Sequence, residues 1–133
     1  MTQNHSAVQR VQAEMNRLGL TGEIKHLSDT ARSAQDAADA IGILVGQVAS
    51  SIVFGLPDGE PLLVITSGAH RVDTNLVAKN LGVDKLNRVD ADYVREKSGF
   101  AIGGVSPLGW SGSNPKILID QALASFEIIW AAA

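Results

Sequence analysis

Gln47-Val48-Ala49-Ser50-Ser51-Ile52-Val53-Phe54-Gly55-Leu56, then Pro57-Asp58-Gly59-Glu60, then Pro61-Leu62-Leu63-Val64-Ile65-Thr66: on this stretch the fold turns. Two apolar segments flank a short polar one with Asp-Gly at its centre. Glycine accepts positive φ without steric cost and aspartate hydrogen-bonds nearby backbone, so the pair is a strong hairpin signal. The spacing predicts a strand over 47–56, a turn over 57–60 and a returning strand over 61–66. Leu62 to Ile65 is an unbroken apolar run, which predicts a strand buried on both faces. A hairpin mid-chain breaks strict β-α-β alternation. The expectation is one α+β domain over 1–133, with a mixed, partly closed, barrel-like sheet flanked by helices.

The flanks supply the helices. Val8, Val11, Met15 and Leu18 recur at steps of three and four, predicting a helix over 6–18 with Ser6 as cap and Gly19 as stop. Glu23 to Leu27 alternates as a short strand does. Ser33, with Asp36 three residues on, caps a second helix that Gly42 ends. Beyond the hairpin, Asp73 caps a helix through Leu81, with Leu76, Val77 and Leu81 as its buried stripe and Gly82 as its stop. Asp90 opens another through Lys97, closed by Gly99. Leu86–Val89, Phe100–Ile102, Lys116–Ile119 and Phe126–Ala132 read as strands, and Asp120–Ser125 as a helical turn.

Composition narrows the function. A length of 133 residues suits one domain with one core. Eleven basic and 14 acidic residues leave a net charge of −3, which argues against a general nucleic-acid coat protein. Arg71, Lys79, Lys85, Arg88, Arg95 and Lys97 form either a solvated mixed surface or a local grip on one end of an RNA. There is no cysteine, so disulfides, thiolate metal sites and a cysteine nucleophile are excluded. His5, His26 and His70 lack metal-ligand spacing, and neither a metal nor another cofactor is expected. No apolar run approaches the ~18 residues of a membrane span, and the polar start lacks a signal-peptide core, so a cytoplasmic location is expected.

Chemistry-bearing residues gather in two loops. Gly99-Phe100-Ala101-Ile102-Gly103-Gly104-Val105-Ser106-Pro107-Leu108-Gly109 joins an apolar run to two glycines and a proline. Such a stretch is either a tight structural loop or a cradle whose backbone N–H groups meet an oxyanion or polarised carbonyl. Ser67-Gly68-Ala69-His70-Arg71-Val72-Asp73 joins a strand end to a helix. His70 is a loop residue or a general base working near neutral pH. Asp73 and Asp120 are caps, Asp120 alternatively shaping a pocket, and Thr30 is a turn hydroxyl or a substrate contact. No Ser–His–Asp spacing forms a triad.

Together with Thr30-Ala31-Arg32-Ser33-Ala34, Gly46-Gln47-Val48-Ala49, Ser51-Ile52-Val53-Phe54 and Ile119-Asp120, these segments resemble, in order and spacing, the YbaK/EbsC family. Its members are free-standing relatives of the prolyl-tRNA synthetase editing domain. The resemblance runs from about Val8 to Ala133. It implies a trans-acting deacylase that hydrolyses the ester of a wrongly attached small amino acid at an aminoacyl-tRNA 3′ end, foremost tRNA for proline. It also implies a possible synthetase partner, and neither DNA nor membrane. The family's Gly-x-x-x-Pro element falls on Gly103–Pro107, which places catalysis on the backbone of Gly103, Gly104, Val105, Ser106 and Pro107. Thr30, Ser51, Ser67, Gly68, His70 and Asp120 are the implied substrate contacts. Where the family pattern carries a catalytic or substrate-binding lysine, this chain has Ser50, a short neutral hydroxyl in place of a long cation. That departure opens a second reading, a module that binds aminoacyl-tRNA or a synthetase without turnover. A third is a small-molecule esterase or amidase using the same loop. Members of the family usually continue past the last strand with a glycine, a strand and a helix.

Overall fold

The computed structural model describes residues 5–27 and 33–133. Its centre is the expected hairpin. Strand β1 (Val48–Gly55) pairs antiparallel with β2 (Pro61–Ser67), Ser50 opposite Thr66 and Phe54 opposite Leu62. The turn closes with Leu56 N–H donating to Glu60 O at 2.9 Å and Glu60 N–H donating to Asp58 Oδ1 at 2.9 Å. Gly59, at φ +89°, supplies the left-handed residue that the Asp-Gly pair predicts.

All seven residues of β2 are buried, matching the unbroken apolar run. Topology explains why. The sheet order is β3-β2-β1-β4, so β2 is flanked on both sides. Strand β3 (Lys116–Ile119) lies parallel to it, and β4 (Trp130–Ala131) lies parallel to β1. The result is a curled, mixed half-barrel sheet in an α+β fold.

Helix α1 (His5–Leu18) covers one face through Ala7, Val11 and Met15. They join a buried cluster with Ala49, Leu63, Ile65, Val94, Phe100, Val105 and Leu123. Burying a leucine or phenylalanine side chain is worth roughly 1.5–3 kcal/mol, so this cluster carries much of the stability. Three further helices end where the sequence places their caps. Ser33 and Asp36 form a reciprocal capping box on α2 (Ala34–Ile41). The Asp73 carboxylate accepts from Leu76 N–H at α3 (Thr74–Leu81), and Asp90 from Tyr93 N–H at α4 (Ala91–Ser98). Asp120 caps a 3-10 turn over Gln121–Ser125.

Several expected elements are not strands. Glu23–Leu27 is irregular: Ile24 packs on the core, but the segment joins no strand of the four-stranded sheet. Leu86–Val89 reduces to one bridge between Asn87 and Gly55. Phe126–Ala132 contracts to β4. Phe100–Ile102 is a turn in which Gly104 N–H donates to Ala101 O at 3.0 Å, burying Phe100 and leaving Ile102 58% exposed. Leu18 and Leu76 face water, and α3 buries only Ala78, so the stripe expected at Leu76, Val77 and Leu81 is at most half-buried.

Candidate active site

The two chemistry-bearing loops end up in different surroundings. The Gly99–Gly109 loop is anchored inward. Arg10 on α1 donates from Nη2 to Gly99 O at 2.7 Å and from Nε to Gly109 O at 3.3 Å, and its guanidinium lies 5.0 Å from the Phe100 ring centroid. Trp110 Nε1–H donates to Ser106 O at 2.8 Å, and Leu108 N–H donates to Ser106 Oγ at 3.0 Å. Val105 and Ser106 are buried. Gly103 has φ +86°, and a Cβ there would meet open space, so its role is conformational.

The Ser67–Asp73 loop, by contrast, borders a cavity of about 310 Å³. Its lining includes Ser50, Ile52, Thr66, Gly68, His70 and Arg71. Side chains alternate along a strand. Ser50 and Ile52 therefore face the cavity, while Ala49 and Val53 point to the core cluster that Val105 joins. Gly68 is required for space: a Cβ would lie 2.6 Å from Val45 O and 2.9 Å from Ala34 Cβ.

Asp120 organises this site. One carboxylate oxygen, Oδ2, accepts from Ser67 N–H at 3.1 Å and from Thr66 Oγ1 at 3.3 Å, and lies 2.7 Å from His70 Nδ1. The other, Oδ1, accepts from Ala122 N–H at 3.0 Å. These contacts favour the ionised form. The His70 hydrogen bond first, then the backbone N–H of Ala122, with a lesser one from Ser67, hold the carboxyl down at about 2, against the opposing effect of burial. Ser67 Oγ ties the loop back by donating to Gly46 O at 2.9 Å.

Of the residues singled out from sequence, Ser50, Ser67, Gly68 and His70 come together at the cavity, with Asp120 behind them. Gly103–Pro107 is not part of its lining. Ser51 lies on the neighbouring stretch of β1, its Oγ buried without a hydrogen-bond partner among the described residues. Thr30 lies outside the described residues. Among those described, no three His, Asp or Glu side chains gather as a metal site would require, and no helix is long and apolar enough to cross a membrane. The sequence does not link His70 to Asp120, 50 positions apart, nor Arg10 to the glycine loop, and of the basic residues that it offers as a grip on RNA, Arg71 is the one at the cavity.

The fold agrees with that of known proteins that this chain resembles. The model of a family described as the aminoacyl-tRNA editing domain matches residues 28–133, and the chain belongs to that family. A crystal structure described as "a putative trans-editing enzyme for prolyl tRNA synthetase" superposes with a TM-score of 0.87 at 34% identity, over 97% of this chain and 80% of that one. Protein YwhH of Bacillus subtilis is 24% identical over 110 residues, which is 83% of this chain and 69% of YwhH. The "Putative Cys-tRNA(Pro)/Cys-tRNA(Cys) deacylase EbsC" of Enterococcus faecalis is 26% identical over 100 residues, 75% of this chain. The match spans 61% of EbsC, less than two thirds of its length.

Proposed function

We propose that this chain hydrolyses the ester linking a wrongly attached small amino acid to the 3′ end of a tRNA, with tRNA for proline the foremost substrate. Membership of the editing-domain family supports the reaction class, and the trans-editing and deacylase descriptions of its relatives support the choice of tRNA. The observation that carries the reading is the cavity. At about 310 Å³ it lies at the small end of ligand cavities, roughly 300–1,000 Å³. That volume takes a whole amino acid with room to spare, so a second sieve that admits the lesser side chain and rejects the larger correct one would act through the contacts within it.

The cavity and the glycine loop divide the work. Hydroxyls of Ser50, Thr66 and Ser67 and the cation of Arg71 offer the cavity side polar contacts for the aminoacyl group and the terminal nucleotide. The backbone of Gly103–Pro107 holds the ester carbonyl and stabilises the charge that develops on its oxygen. Gly103–Pro107 does not line the cavity, so this role rests on the resemblance of its Gly-x-x-x-Pro element.

One observation favours a second reading. Ser50 lies at the cavity, so the position where the resemblance implies a lysine carries no cation. On that reading the chain binds aminoacyl-tRNA or a synthetase and does not turn over. The deciding experiment incubates the protein and its Ser50→Lys variant with tRNA for proline charged separately with Ala, Ser, Thr, Cys or Pro. Release of a small non-cognate residue by the unaltered protein is the expected result. Release by the variant alone would make the chain a binding module, and silence from both folded proteins would sink the editing reading for these substrates.

A further inference from the structure

The His70–Asp120 pair has the arrangement of a base and its orienting group. Asp120 is fixed before any substrate arrives, held by Ser67 N–H, Ala122 N–H and Thr66 Oγ1. An ionised carboxylate only accepts hydrogen bonds, so the hydrogen in the 2.7 Å contact belongs to His70 Nδ1. In the neutral ring the lone pair is then on Nε2, which makes no hydrogen bond to another described residue. The imidazole is half exposed and borders the cavity that also holds Ser50 and Thr66. The other charged side chain bordering that cavity, among the described residues, is Arg71; Asp120 faces the ring from the end of β3, and Asp73 follows in the same loop.

We propose that His70 is the proton acceptor for the water that cleaves the ester, with Asp120 as the residue that positions it. The inference rests on the deacylase reading and adds to it the group that activates the nucleophile. The water oxygen bonds to the ester carbonyl carbon while one of its protons passes to His70 Nε2. When the tetrahedral intermediate collapses, the bond to the ribose oxygen breaks and that oxygen takes the proton back from the imidazolium. The products are the free amino acid and the tRNA 3′ hydroxyl, with water as the one co-reactant. No cation at position 50 is needed for this step, which is how a chain with Ser50 would remain active.

Single-turnover deacylation of the five charged tRNAs, followed across pH for the protein and for His70→Ala and Asp120→Asn, tests the assignment. The rate of the unaltered protein is expected to depend on pH, as it does for a general base. His70→Ala is expected to lose about 10²-fold or more in rate at saturating protein, the typical contribution of a general base, and to lose that pH dependence. Added imidazole is expected to restore part of its rate, which it would not do for a merely structural role. Asp120→Asn is expected to keep the binding strength, lose rate and shift the pH profile. Unchanged rate and pH profile in a folded His70→Ala variant would overturn the base and leave the deacylase reading standing. Silence of the unaltered protein on all five substrates would overturn both.

Discussion

Set side by side, the glycine loop 99–109 and the loop 67–73 that ends β2 invert what their sequences advertise. The first is dense in glycine and proline, yet it lies against the core, held by Arg10, Trp110 and the buried Phe100. The second has one glycine, yet it borders the cavity and brings His70 to Asp120. Glycine and proline report demands on the backbone: a positive φ, a close approach, a missing donor. Chemistry needs side chains from separate elements to converge, and that leaves little trace in local composition. The loop that is loud in sequence is anchored on the core, and the quieter one gathers the titratable groups.

The contrast can be broken by substitution, beginning with the largest expected effect. Phe100→Ala opens a cavity under the glycine loop, and a loss of about 3–5 kcal/mol in chemical denaturation is expected. A loss below ~1 kcal/mol would mean that the loop is not part of the core. Arg10→Met removes two hydrogen bonds to loop carbonyls and the contact with the Phe100 ring. It should cost about 1–2 kcal/mol and speed hydrogen exchange within 99–109 ahead of the rest of the chain.

Asp120 makes the corresponding test for the second loop through pH. Its folded carboxyl is held at about 2, below its ordinary value of 3.8. The stabilisation is therefore complete above that ordinary value and is lost as pH falls towards 2. Urea unfolding of the protein should weaken across that window more steeply than that of Asp120→Asn, and parallel curves would refute the assignment. Smallest of all is Ser51→Ala, which removes a buried hydroxyl without a partner. Thermal unfolding should shift by no more than about 0.5 kcal/mol, in the stabilising direction if at all.

Legibility followed the same division. The hairpin, the fully buried β2 and the caps at Ser33, Asp73, Asp90 and Asp120 could be read from sequence because each is a bargain between near neighbours. Edge strands could not. Glu23–Leu27 alternates as well as many strands do, but pairing depends on where the folded chain brings the segment, and alternation does not report that. At the site, Ser50, Ser67, Gly68 and His70 were legible through the family resemblance, whereas Arg71 and the His70–Asp120 contact follow from the crossing that lays β3 beside β2.

That crossing also sets an order of events. The β1–β2 hairpin joins residues a few positions apart and closes at small entropic cost, whereas pairing β3 with β2 must first close the long intervening segment that contains α3, α4 and the glycine loop. Non-local parallel pairing is slow for this reason. Asp120 directly follows β3, its N–H donating to Ile65 O at 2.7 Å, so it meets His70 when that closure completes. A partly folded or newly made chain can hold its hairpin and much of its helix content and still lack the paired histidine. The His70–Asp120 contact then marks a late closure of the chain, present in finished molecules and absent from those still on the way.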